Sequence, residues 1–134
     1  MMHVTPLKIL IVGDNGANAP GTRRLLVQAG HAARVAGNGT EAINTLNSVY
    51  FDLVLVDIEG GGVNGIKTTR AIREMDDGIA NIPIIGLSGA PDPLTATRCR
   101  KAGMNEFLAK PFSLQDFSDT LRKIHNRRIF QQTS

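Results

Sequence analysis

Short, continuous apolar runs alternate along this chain with longer amphipathic stretches. Ile9-Leu10-Ile11-Val12, Leu53-Val54-Leu55-Val56 and Ile84-Ile85-Gly86-Leu87 are such runs, and Phe107-Leu108-Ala109 is a shorter one. Hydrophobicity that is continuous rather than alternating is the pattern of strands covered on both faces. It predicts strands over residues 8–12, 51–56, 82–87 and 105–109, with a weaker, edge-like strand at 31–36. The stretches between them predict helices at 20–29, 40–47 and 65–75, one from Pro93 to Gly103, and one from Ser113 to about residue 125. Local signals mark their ends. Pro20 suits a first turn, Gly30 a stop, Thr40 a cap, and Asp92-Pro93 an N-cap followed by a first-position proline. Ser113-Leu114-Gln115-Asp116 reads as a capping box with Asp in place of Glu.

Five strands alternating with five helices define an α/β chain with a parallel sheet and helices on both faces. Right-handed crossovers leave few topologies, and ligands of such sheets sit at the carboxyl ends of the strands. No repeat, linker or second domain interrupts the pattern. Residues 1–6 are expected to form an N-terminal tail, 7–126 one domain, and 127–134 a C-terminal tail.

Composition narrows the class. The chain has 134 residues, 42% hydrophobic and 20% charged, which suits one globular domain rather than a disordered chain. No apolar run approaches the ~18 residues of a membrane span, so no membrane contact is expected. A signal-peptide layout is missing from Met1-Met2-His3-Val4-Thr5-Pro6. Cys99 is the single cysteine, which excludes an internal disulfide and points to a reducing, cytoplasmic compartment. Net charge is +3, but the basic clusters fall on separate segments and read as solvated helix faces. With five Phe, one Tyr and no Trp, base stacking is poorly served, and no direct nucleic-acid binding is expected.

Candidate chemistry collects at the strand ends. Asp14 follows the first strand, Asp57 the third, Ser88 the fourth and Lys110 the fifth. Each alone has a plain explanation as a turn former, a cap or a solvated lysine. Together, in a parallel sheet, they meet at one edge. Two nearby carboxylates favour a shared proton or a bound cation, and Mg²⁺ prefers oxygen ligands and bridges carboxylates to phosphate. A lysine and a hydroxyl beside them would neutralise and orient phosphoryl oxygens, and a carboxylate nucleophile yields an aspartyl phosphate.

On these residues the chain resembles the receiver domain of two-component response regulators, over residues 7–124. The pieces that carry the resemblance are Lys8-Ile9-Leu10-Ile11-Val12-Gly13-Asp14-Asn15, Phe51-Asp52-Leu53-Val54-Leu55-Val56-Asp57-Ile58, Thr69-Arg70-Ala71-Ile72-Arg73, Ile82-Pro83-Ile84-Ile85-Gly86-Leu87-Ser88-Gly89-Ala90 and Gly103-Met104-Asn105-Glu106-Phe107-Leu108-Ala109-Lys110-Pro111-Phe112. The resemblance implies a flavodoxin-like, doubly wound fold with strand order 2-1-3-4-5. It implies a signalling domain rather than an enzyme. Asp57 would be the phosphoacceptor, served by the phosphohistidine of a sensor histidine kinase or phosphotransfer protein. Mg²⁺ would be held by the side chains of Asp14 and Asp57 and by the Glu59 backbone carbonyl. Ser88 would be the switch hydroxyl, Lys110 the salt-bridge partner, and Phe107 the aromatic that changes rotamer. A cis bond is expected before Pro111. The face of the fourth helix, fifth strand and fifth helix would carry the output, including dimerisation. The isoleucine-proline strand and the Thr-Arg-Ala-Ile-Arg helix are most similar to receivers carried on hybrid sensor histidine kinases. No effector domain is read after Ile124, so output would run through surface contacts or the remainder of a longer chain.

Three features depart from the family pattern. Gly13 stands where the family usually has the first of two adjacent acids. Gly60-Gly61-Gly62-Val63-Asn64-Gly65 replaces the usual loop after the phosphoacceptor, and its glycines loosen that loop. Asn15-Gly16-Ala17-Asn18-Ala19-Pro20-Gly21 is poor in helix formers. The alternative is therefore a degenerate receiver, an interaction domain that works without phosphorylation. A flavin carrier would want hydroxyls in the loop after the first strand, where the first one is Thr22. An aspartyl phosphatase would want an Asp-x-Asp pair there.

Overall fold

The computed structural model describes residues 6–13, 18–58, 64–89 and 92–133. Strands β1 (Lys8–Val12), β2 (Ala32–Ala36), β3 (Leu53–Asp57), β4 (Ile84–Ser88) and β5 (Glu106–Ala109) form one parallel sheet in the order β2-β1-β3-β4-β5. Helices α1 (Asn18–Gln28), α2 (Gly39–Ser48), α3 (Gly65–Arg73), α4 (Asp77–Ala80), α5 (Pro93–Ala102) and α6 (Leu114–Thr133) connect and cover it. The expected α/β doubly wound fold and strand order are both observed.

Alternation along the strands sorts the core into two layers. Leu10, Val12, Val54, Val56 and Ile84 face Ala42 and Leu46 of α2, Ile72 of α3 and Cys99 of α5. Ile9, Ile11, Leu53, Leu55, Ile85 and Leu87 face Ala19 and Leu26 of α1 and Phe117 and Ile124 of α6. All residues of β3 and β4 are buried, which explains why their sequences do not alternate. Fully burying a side chain of this kind contributes about 1.5–3 kcal/mol. At the amino edge of the sheet, the buried His31 accepts a hydrogen bond at Nδ1 from the Leu7 N–H, 3.0 Å away, and stands edge-on to Phe117. Burial lowers its pKa and favours the neutral acceptor form.

Several element ends differ from the sequence expectation. Asn38, not Thr40, caps α2: its extended backbone lets the side chain accept from the Glu41 N–H at 2.8 Å. The first helix opens at Asn18, two residues before Pro20, which the first turn tolerates because it needs no N–H donor there. The short helix α4 was not expected, being a single turn between Asp76 and Asn81. The last helix runs on to Thr133 through the stretch expected as a tail, since no Gly or Pro interrupts residues 126–133 and Arg127 pairs with Glu106 of β5. Other signals work as read. Asp92 accepts from the Thr95 N–H at 2.9 Å, which holds its carboxyl below the usual range. Gly103 ends α5 in the left-handed region at φ 120°. Ser113 and Asp116 make the reciprocal capping box at 3.0 and 3.2 Å.

Arg73, at the end of α3, acts as a tie between elements. Its guanidinium donates to the carbonyls of Ala80, Ile82 and Gly103 and to the Asn105 side chain, at 2.6–3.0 Å. The planar fork of arginine suits several fixed acceptors at once. This tie braces the amino edge of β4 and β5, so that the opposite, carboxyl edge is held in register.

Candidate functional site at the carboxyl edge of the sheet

The chain leaves β1 to one side for β2 and to the other for β3, so the carboxyl edge has its switch point between β1 and β3. Register brings the candidate residues there. Val12 pairs with Val56, which sets Gly13 beside Asp57, while Asp57 pairs with Leu87 and Ser88 with Ala109. Asp57 is the last residue of β3 and is 8% exposed.

Lys110, just past β5, reaches across β4 to Asp57. Its ammonium donates to Asp57 Oδ1 at 2.9 Å, with the two side chains 18% and 12% exposed. Burying either charge alone would cost several kcal/mol, so each sits there because of the other. The Lys110 backbone N–H donates to the Ser88 carbonyl at 2.8 Å, fixing the end of β5 to the end of β4. The Lys110–Pro111 bond is cis, as expected. Ser88 is buried and alternates onto the same sheet face as Ile84 and Gly86. Phe107 pairs with Gly86 and packs, half-buried, against the core layer of that face.

The structure thus joins Asp57 to Lys110 and sets Ser88 and Phe107 on neighbouring strands of one face. Asp14 and Glu59 lie outside the described residues, as does the Gly60-Gly61-Gly62 loop. Among the described residues no group of three or more His, Cys, Asp or Glu is poised to hold a metal. The part of the expected donor set that is described is the Asp57 carboxylate. A Cβ at Gly13 would lie 3.3 Å from Asp57 Cβ and 3.9 Å from Oδ2, so this carboxylate faces the end of β1, beyond which Asp14 follows. Carboxylate and carbonyl oxygens are the donors Mg²⁺ prefers, and Asp57 at this edge fits that ion.

Two residues of the neighbourhood were not singled out from sequence. A Cβ at Gly86 would come within 2.8 Å of Ile58 Cδ1 and Met104 Sδ and 3.2 Å of Phe107 Cδ1. A methyl there would press on the Phe107 ring, and a glycine inside an apolar strand run was the available signal. Arg100 of α5 lies over the Phe107 ring, 5.2 Å from its centroid, and nothing in its basic cluster distinguished it beforehand.

Residues 9–122 match the response regulator receiver domain family. The chain is 40% identical over 104 residues to the CAI-1 autoinducer sensor kinase/phosphatase CqsS of Vibrio cholerae, covering 78% of this chain and 15% of that protein. Among solved structures, the receiver domain of a sensor histidine kinase from Pseudomonas aeruginosa, with a magnesium ion coordinated in its active site cleft, superposes with a TM-score of 0.77. It is 29% identical and covers 90% of this chain and 99% of that one. The chemotaxis response regulator CheY4 of Vibrio cholerae superposes with a TM-score of 0.74 at 25% identity, covering 90% and 99%. The chain belongs to the response regulator receiver family and is a signalling domain of two-component systems. It spans 15% of the length of CqsS and 16% of that of the sensory/regulatory protein RpfC of Xanthomonas campestris.

Proposed function

We propose that the chain accepts a phosphoryl group on Asp57 from the phosphohistidine of a sensor histidine kinase or histidine phosphotransfer protein. The observation that carries this reading is the buried Asp57–Lys110 contact of 2.9 Å at the switch point of the sheet. An Asp57 oxygen attacks phosphorus; the P–O bond forms as the P–N bond breaks, and the imidazole leaves with the bonding pair. Lys110 offsets the charge that gathers on the phosphoryl oxygens. Mg²⁺, held by Asp57, Asp14 and the Glu59 carbonyl, would supply further charge neutralisation. Ser88 then hydrogen-bonds a phosphoryl oxygen, and Phe107 moves into the space Ser88 vacates. The output surface is the α5–β5–α6 face, the fourth and fifth helices of the sequence reading, which would also serve a dimer. A cytoplasmic setting agrees with the lone, buried Cys99. Among the described residues no helix is long and apolar enough to cross a membrane.

The Asp57–Lys110 pair speaks against the degenerate alternative, because a receiver released from phosphoryl chemistry has no use for a buried lysine on that carboxylate. Mass spectrometry after acetyl phosphate and Mg²⁺ treatment tests the reading. One added phosphoryl group is expected in the parent and none in Asp57→Asn; an equal adduct in the variant contradicts it.

A further inference from the structure

Glu106 and Phe107 are neighbours on β5 that alternate to opposite faces, yet both meet Arg100 of α5. The guanidinium sits over the Phe107 ring, 5.2 Å from its centroid. Its Nη2 is 3.8 Å from Oε1 of Glu106, at the outer limit of an ion pair. Arg100 is half-exposed, whereas the Glu106 side chain is 7% exposed, and the other Glu106 oxygen meets Arg127 of α6. A buried carboxylate therefore stands between cations from the two helices that flank β5. One of those cations is shared with an aromatic ring.

We propose that Arg100 is a positioning residue of the switch, holding Phe107 in the rotamer seen here and restraining the ring's departure. The inference rests on the proposed phosphorylation of Asp57, which supplies the event that moves Phe107. Cation–π attraction stabilises the present rotamer, so it opposes the ring's departure. Once the ring leaves, the guanidinium loses that contact and keeps only its long, 3.8 Å approach to Glu106, whose second oxygen ion-pairs with Arg127 of α6. Arg100 touches neither Asp57 nor Lys110 in any contact described, and acts only through Phe107.

Beryllofluoride binding, read by NMR, tests this. Arg100→Gln removes the cation from a half-exposed position. The resting rotamer then loses its support, and beryllofluoride should bind about two- to fivefold more tightly, the range that a partly exposed cation–π contact represents. Arg100→Lys, which keeps the charge, should stay nearer the parent. In a Phe107→Leu background, Arg100→Gln should change nothing. Without beryllofluoride, the Phe107 ring resonances of Arg100→Gln should already move toward their bound positions. Unchanged or weaker binding in Arg100→Gln, or an equal gain without the Phe107 ring, overturns the inference while leaving phosphorylation at Asp57 standing. A parent that binds no beryllofluoride overturns the proposed function and this inference with it.

Discussion

A side chain at position 13 would enter the site directly, since its Cβ would meet Asp57 Cβ at 3.3 Å and Oδ2 at 3.9 Å. Gly13→Asp would set a second carboxylate against Asp57. Without a cation the two repel, and the tight Cβ contact asks β3 to yield slightly. With Mg²⁺ the sign reverses. At an effective dielectric of several tens, one charge about 5 Å from a divalent ion contributes on the order of 1–3 kcal/mol, roughly tenfold to a hundredfold in affinity. The variant should therefore melt lower than the parent in metal-free buffer, bind Mg²⁺ more tightly, and gain more in melting temperature as Mg²⁺ is added. Superimposable Mg²⁺ titrations would contradict this. The missing acid was legible from sequence, because Gly13 stands directly before Asp14 at a strand end. How close that position comes to Asp57 was not, since contact across a sheet depends on register.

At the scale of elements, the strands were easier to read than their ends. Apolar runs located four of the five strands, and the edge strand β2 was the weaker stretch at 31–36, but each boundary is set by which backbone groups find partners. β3 takes in Asp57, whose Cα pairs with Leu87, although polarity alone stopped the strand at Val56. Likewise Thr40 read as the cap of α2, because the use of Asn38 there depends on an extended backbone that sequence does not fix. Gly86 shows the cost of reading composition alone: the run Ile84-Ile85-Gly86-Leu87 is apolar, yet the glycine leaves room beside the Phe107 ring that a methyl would crowd. Gly86→Ala should destabilise the domain by about 1–3 kcal/mol through overpacking. It should also shift the Phe107 ring resonances, because Cδ1 would lie 3.2 Å from the new methyl. Denaturant unfolding and NMR spectra check both. Parent-like stability together with an unmoved ring would mean that β4 and β5 have more room than this packing allows.

Across the whole molecule, the sequence made the architecture legible because topology rules convert alternation into a parallel sheet, and the sheet into an edge. Asp57, Ser88 and Lys110, separated by tens of residues, were assigned to one place before any distance was known. Arg73, Glu106 and Arg100 were not, because an arginine that braces carbonyls and one that faces solvent look alike in sequence. The likeness to CqsS and to kinase-borne receivers concerns this domain alone, and the kinase activity of such longer proteins enters only as the proposed source of the phosphoryl group. The central claim is that Asp57 carries that group. An acyl phosphate is reduced by borohydride to an alcohol, whereas a free carboxylate is not. After treatment with acetyl phosphate and Mg²⁺, then borohydride, peptide mapping should find homoserine at position 57 and unmodified aspartate at every other position. Homoserine at another aspartate, or none anywhere in a folded protein with Mg²⁺ present, would contradict the account.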